Sequence, residues 1–160
     1  MASVYLETTV VSYLAARPSR DLLVAANQQV TQDWWTARSS AFDLFISQLV
    51  LQETAGGDQA EAARRLHLIA GLTLLDVTAG AVGLASELVR RHAIPPGSAT
   101  DAGHIAVAAV HGVNYLLTWN MAHILNAELR PRIEAVCRDA GYEPPVLCTP
   151  AELMGGSNVA

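Results

Sequence analysis

The chain contains no lysine; its ten basic residues are all arginine. Chemistry that needs a side-chain amine is thereby disfavoured: a Schiff base, a Walker-type phosphate loop, and a receiver-like phosphoacceptor site with its lysine. What is left on the basic side is guanidinium, which suits bidentate phosphate contacts, although an arginine-only habit reflects genome composition more than function. Cysteine is also scarce. Cys137 and Cys148 have no metal-ligand spacing, and no secretory leader precedes them, which argues against a disulfide framework and fits a reducing cytoplasm. The apolar runs are short, as at residues 105–110, and fall far below the roughly 18 residues of a membrane-spanning helix. The chain therefore reads as soluble. A net charge of −5 and a pI near 5.4 exclude a broadly basic nucleic-acid surface, so any such contact falls to local arginines.

What is present is a chain of 160 residues that is 51% hydrophobic, enough for one well-buried domain and too little for two. We expect a single domain over residues 1–154 and a flexible tail over 155–160. Short apolar runs at residues 3–6, 43–46, 73–77, 114–118 and 146–148 alternate with long helical patterns. That order predicts a three-layer α/β/α fold with a central parallel sheet of about five strands. Over residues 21–38 the helical period puts Leu22, Leu23, Ala26, Val30, Trp34 and Ala37 on one stripe, with Gln28, Gln32 and Thr36 opposite. Pro18 and Ser19 mark its start. Trp35 and Val24 fall on the far side of that stripe, and we read them as a protein contact more than as core.

Four oxygen-bearing side chains, Glu7, Glu53, Asp101 and Asn120, each fall where a predicted strand gives way to a helix or loop. That is the usual address of chemistry in parallel α/β domains. Three carboxylates gathered there would repel one another unless protons or a cation intervened, and hard oxygen ligands suit Mg²⁺ or Mn²⁺. Taken singly, each residue has a plainer reading. Glu7 can be a solvated loop residue beside Thr8 and Thr9, whose hydroxyls can cap a helix or steady a carboxylate. Glu53 falls on the apolar face of a helix begun near Ser47, where either an arginine or a metal would be its partner. Asp101 follows Ser98 at capping-box spacing, yet shares an inward stripe with Ile105 and Ala108. Asn120 can be ordinary turn chemistry, with Thr118 facing the same way two residues earlier. His104 and His111 share a stripe with Thr100 and read as a polar helix face, and His123 reads as a loop histidine within reach of substrate.

Taken together these segments resemble a known family. Val4-Tyr-Leu-Glu-Thr-Thr-Val-Val-Ser-Tyr-Leu14, the helix of Glu53, and Thr100-Asp-Ala-Gly-His-Ile-Ala-Val-Ala108 through Tyr115-Leu-Leu-Thr-Trp-Asn120 resemble the PIN domain in sequence and order. The likeness is nearest to VapC-type toxins of toxin–antitoxin pairs, and Cys148-Thr-Pro-Ala-Glu-Leu-Met154 looks like the ending of one subgroup. The resemblance implies a parallel sheet, a divalent-metal site, endonucleolytic cleavage of RNA, and a cognate antitoxin as inhibitor. It carries catalytic and metal-binding roles onto Glu7, Glu53, Asp101 and Asn120, with Thr8 and Thr118 in support. Glu7 stands where most of the family has aspartate, and Asn120 where a fourth aspartate is common.

The reading that follows is an Mg²⁺- or Mn²⁺-dependent endoribonuclease, cytoplasmic, with no membrane contact, that forms a homodimer and is held by an antitoxin. Arg17, Arg20 and the Arg64–Arg65 pair are its candidate phosphate contacts. Two alternatives stay open: an interaction module that keeps the fold and binds antitoxin or RNA with a degraded metal site, and a phosphohydrolase acting on small esters.

Overall fold

The computed structural model describes residues 1–155, so most of the expected tail lies outside the described residues. Five strands form one sheet: β1 (Ser3–Leu6), β2 (Asp43–Ser47), β3 (Thr73–Leu75), β4 (Tyr115–Leu117) and β5 (Val146–Cys148). All pairs are parallel, in the order β3-β2-β1-β4-β5. Between them run α1 (Thr8–Ala15), α2 (Leu22–Arg38), α3 (Gln48–Thr54), α4 (Gln59–Ile69), α5 (Ala79–Arg90), α6 (Ala99–Val110) and α7 (Arg130–Asp139). Helices α2, α3 and α4 gather around α1, while α6 and α7 gather around α5. The three-layer parallel architecture expected from the sequence is the one observed.

Strand β1 lies at the centre, and Val4, Tyr5 and Leu6 are fully buried, as a strand covered on both faces requires. Strands β3 and β4 are shorter than the apolar runs suggest. β3 stops at Leu75, paired with Ser47, because Ser47 is also the N-cap of α3 and the β2 backbone turns away there. Just before β4, Asn114 is a side-chain clamp as well as a backbone partner of β5: its Oδ1 accepts from Ser3 N at 2.9 Å and from Ser3 Oγ at 3.0 Å, and its carbonyl accepts from Val146 N at 2.9 Å.

Helix α2 is the main correction. It begins at Leu22 with Asp21 as its N-cap, not at Pro18 and Ser19. Its buried residues are Gln28, Thr31 and Trp34, whereas Leu22 and Leu23 are 88% and 74% exposed. Hydrogen bonds explain the rotation. Gln28 accepts from Ser19 N at 2.9 Å and donates to Arg17 O at 3.3 Å, and Gln32 donates to Leu14 O at 2.7 Å, tying down the α1–α2 connection. Thr31 Oγ1 accepts from Trp119 Nε1 at 2.8 Å. A buried polar group with a partner costs little, so these bonds override the apolar stripe. Val24 and Trp35 are only half-exposed, and Trp35 packs on the core beside Trp34.

This orientation fixes a mutational contrast. Trp34→Ala should cost about 3–5 kcal/mol, while Leu22→Ser and Leu23→Ser should each change stability by less than about 0.5 kcal/mol. Urea unfolding followed by circular dichroism measures both, and losses at Leu22 and Leu23 of more than about 1 kcal/mol would restore the stripe read from sequence.

Candidate active site

In an open parallel sheet the crevice forms at the carboxyl end where the strand order reverses. Here that point lies between β1 and β4, because the chain runs outward from β1 through β2 to β3 and then returns to the other side. Glu7 occupies it. The residue leaves β1, donates its backbone N–H to Leu117 O at 3.0 Å, and caps α1. The residue is 3% exposed. Oε1 accepts from Thr118 Oγ1 at 2.6 Å, Thr9 Oγ1 at 2.5 Å and Thr9 N at 3.2 Å. Three donors on one oxygen offset the loss of water around a buried charge and fix where it points.

Glu53 comes from the last turn of α3. The sequence puts it on the buried apolar face; the structure turns its side chain to the crevice rim with 38% exposure. No arginine meets it among the described residues. Oε1 accepts instead from Thr8 Oγ1 at 2.6 Å and from His104 Nε2 at 2.6 Å. Burial pushes the Glu53 carboxyl up, but the bonds from His104 and Thr8 outweigh it and hold the group below its ordinary value.

His104 is the residue that sequence reasoning misplaced. It is completely buried on α6, not part of a polar face, and Tyr5 Oη lies 2.7 Å from its Nδ1. His111, which shares its stripe, is exposed and meets Asp76 O at 2.8 Å. The available signal was a histidine surrounded by the buried run Ile105, Ala106, Val107, Ala108 and Ala109. Ligand-type atoms of Glu7, Glu53 and His104 lie within 4.8 Å of one another.

The other two candidates are drawn elsewhere. Asp101 sits one turn before His104 with 18% side-chain exposure, and its Oδ2 meets His123 Nδ1 at 2.9 Å. The capping box expected at Ser98 is absent: Ser98 makes no side-chain cap, and its hydroxyl lies 3.1 Å from the same His123 nitrogen. Asn120 Oδ1 accepts from His123 N at 3.1 Å, and Asn120 N donates to Thr118 Oγ1 at 3.0 Å. His123 is therefore half-buried and held, not a free loop side chain. Of the candidate arginines, Arg17 and Arg20 are exposed. Arg64 bonds Ala15 O and pairs with Glu61, and Arg65 clasps Thr54 O and Gly56 O.

The donor chemistry fits a divalent ion. Glu7 and Glu53 are each anchored through Oε1, and no described residue donates to either Oε2, so each offers a carboxylate oxygen to a hard cation. Fold and site together define a doubly wound α/β domain with an acidic cluster at its topological switch point. The chain belongs to the PIN-domain family, whose profile matches residues 4–120. No curated protein sequence matches. Among solved structures, the fold is similar to that in the structure of VapBC2 from Rickettsia felis bound to a DNA fragment from their promoter. That match has a TM-score of 0.59 at 15% identity, covering 91% of this chain and 97% of the other. It is also similar to Mycobacterium tuberculosis VapC20, a sarcin–ricin loop cleaving toxin, with a TM-score of 0.55 at 21% identity over 71% of this chain and 87% of that one.

The lowered Glu53 value predicts an acid response. A carboxyl with a depressed folded-state pKa contributes stability fully above its ordinary value of 4.5 and loses it as pH falls through the lowered value. Glu53→Gln should therefore flatten part of the stability loss that sets in as pH falls below 4.5, as measured by urea midpoints. Parallel wild-type and variant curves would show that the anchoring bonds contribute nothing.

Proposed function

We propose that this protein is a divalent-metal-dependent endoribonuclease and the toxin of a toxin–antitoxin pair. The observation that carries the reading is the meeting of Glu7 and Glu53, from separate elements of a PIN-family fold, with His104 at the switch point. Glu7 and Glu53 would hold Mg²⁺ or Mn²⁺, with Asp101 and Asn120, which His123 engages, as the further oxygen groups that the family resemblance assigns to the site. A bound ion of this kind supplies a Lewis acid that lowers the pKa of water and offsets charge developing on a phosphodiester.

The chain's own residues prepare that chemistry. Thr9 and Thr118 pin the Glu7 carboxylate, and Thr8 and His104 pin that of Glu53. Asp101 and Asn120 set the His123 ring and backbone beside the β4 end. Arg17 and Arg20 are exposed for flanking phosphates, whereas Arg64 and Arg65 are committed to backbone carbonyls. Single-stranded or looped RNA suits an open crevice because its backbone can be splayed into it. The VapC20 likeness supports an RNA substrate, and the VapBC2 likeness supports a cognate antitoxin. A homodimer completes the expected partners.

Glu7→Gln, Glu53→Gln and Asp101→Ala should each lower Mn²⁺-dependent cleavage of a mixed RNA pool by roughly 100-fold or more, with weakened Mn²⁺ binding in calorimetry and an unchanged circular dichroism spectrum. Cleavage and binding indifferent to these changes would leave an interaction module. Turnover of simple phosphate esters without action on RNA would make the protein a small-molecule phosphohydrolase.

A further inference from the structure

Behind the crevice lies a chain of buried hydrogen bonds that the nuclease reading does not require. Ser47 Oγ, Tyr5 Oη and His104 Nδ1 are joined by contacts of 2.7 Å each, and His104 Nε2 then meets Glu53 Oε1 at 2.6 Å. Ser47, Tyr5 and His104 are all completely buried, so water is no substitute partner for any of them.

Proton counting gives this chain a direction. Ser47 Oγ already accepts from Leu49 N at 3.2 Å, and its own hydrogen finds no acceptor among the described residues except Tyr5 Oη. If Ser47 donates to Tyr5, the tyrosine hydrogen goes to His104 Nδ1, which must then be the bare nitrogen of the ring. The ring proton sits on Nε2 and is donated to Glu53. Reversing the chain, as an Nδ1–H imidazole requires, would strand the Ser47 hydrogen in the core. Burial pushes the Tyr5 hydroxyl well above its ordinary value, which keeps it a donor.

We propose that Ser47 and Tyr5 lock His104 in its Nε2–H tautomer, making it a positioning residue that aims the Glu53 carboxylate, and not a ligand of the ion itself. This rests on the metal-site reading above only in the purpose it assigns to Glu53. The tautomer is a property of the protein alone. It also separates His104 from Glu7 and Glu53, with which its proximity alone would group it. The imidazole closes one Glu53 oxygen and leaves the other to face the crevice, as an outer-shell group orients a ligand.

The test uses the full-length protein with ¹⁵N-labelled histidine. Long-range proton–nitrogen correlation of the metal-free protein near neutral pH should show His104 protonated at Nε2 and unprotonated at Nδ1, with His104→Gln serving for assignment. Tyr5→Phe keeps the ring and its packing but removes the donor, so it should shift the Nδ1 resonance and weaken Mn²⁺ binding by roughly 10-fold. Electron spin echo spectroscopy of bound Mn²⁺ should show no directly coordinated histidine nitrogen. A proton on Nδ1, a coordinated nitrogen from His104, or a Tyr5→Phe protein with unaltered resonance and affinity would each overturn the proposal. A wild-type protein that binds no divalent ion would sink the nuclease reading, while the tautomer measurement would still decide the relay.

Discussion

Two carboxylates held close together at the end of a sheet are the constraint around which this fold is arranged. Like charges at short range raise the energy of the folded state unless donors or cations answer them. The donors are five groups from several elements: the hydroxyls of Thr8, Thr9 and Thr118, the Thr9 amide, and the His104 ring. Every one of them binds an Oε1, so each charge is anchored through one oxygen and no described residue donates to the other. A site meant only to neutralise the pair would have used guanidinium, and the chain has ten arginines to draw on.

The packing around the crevice serves the same end. Trp119, next to Thr118, donates its backbone N–H to Thr9 Oγ1 and its indole N–H to Thr31 Oγ1, both at 2.8 Å, and stacks on Tyr13. One side chain thus joins β4, α1 and α2. Gly103 contributes on the other flank: a Cβ there would come within 2.8 Å of Leu49 Cδ1, so α6 approaches α3 closely where the chain has none. The neighbouring His104 is delivered to Glu53 by that approach.

The layer architecture was legible because it depends on apolar runs, their lengths and their alternation, which a single sequence displays directly. Of the four oxygen-bearing residues, Glu7 follows β1 directly, whereas Glu53 lies in the last turn of α3 and Asp101 in the first turn of α6, so a reading from strand ends alone does not bring the four together. The face of α2 was not legible either, because Gln28 and Thr31 are buried by partners such as Arg17 O and Trp119 that helical periodicity cannot see. His104 was missed likewise: its position on α6 follows from spacing, but the Tyr5 hydroxyl that makes its burial tolerable lies 99 residues away. Ser98 and Asp101 had the spacing of a cap, and His123 took both.

The bond between Thr118 and Glu7 spans 111 residues of chain. Closing so long a loop is entropically slow, and non-local pairings form late in folding. A polypeptide emerging from synthesis without β4 therefore has neither the final anchor for Glu7 nor the strand that completes the crevice. Full anchoring of the acidic pair is deferred until the chain has been made through the end of β4, so a chain cut short before that strand lacks the finished arrangement.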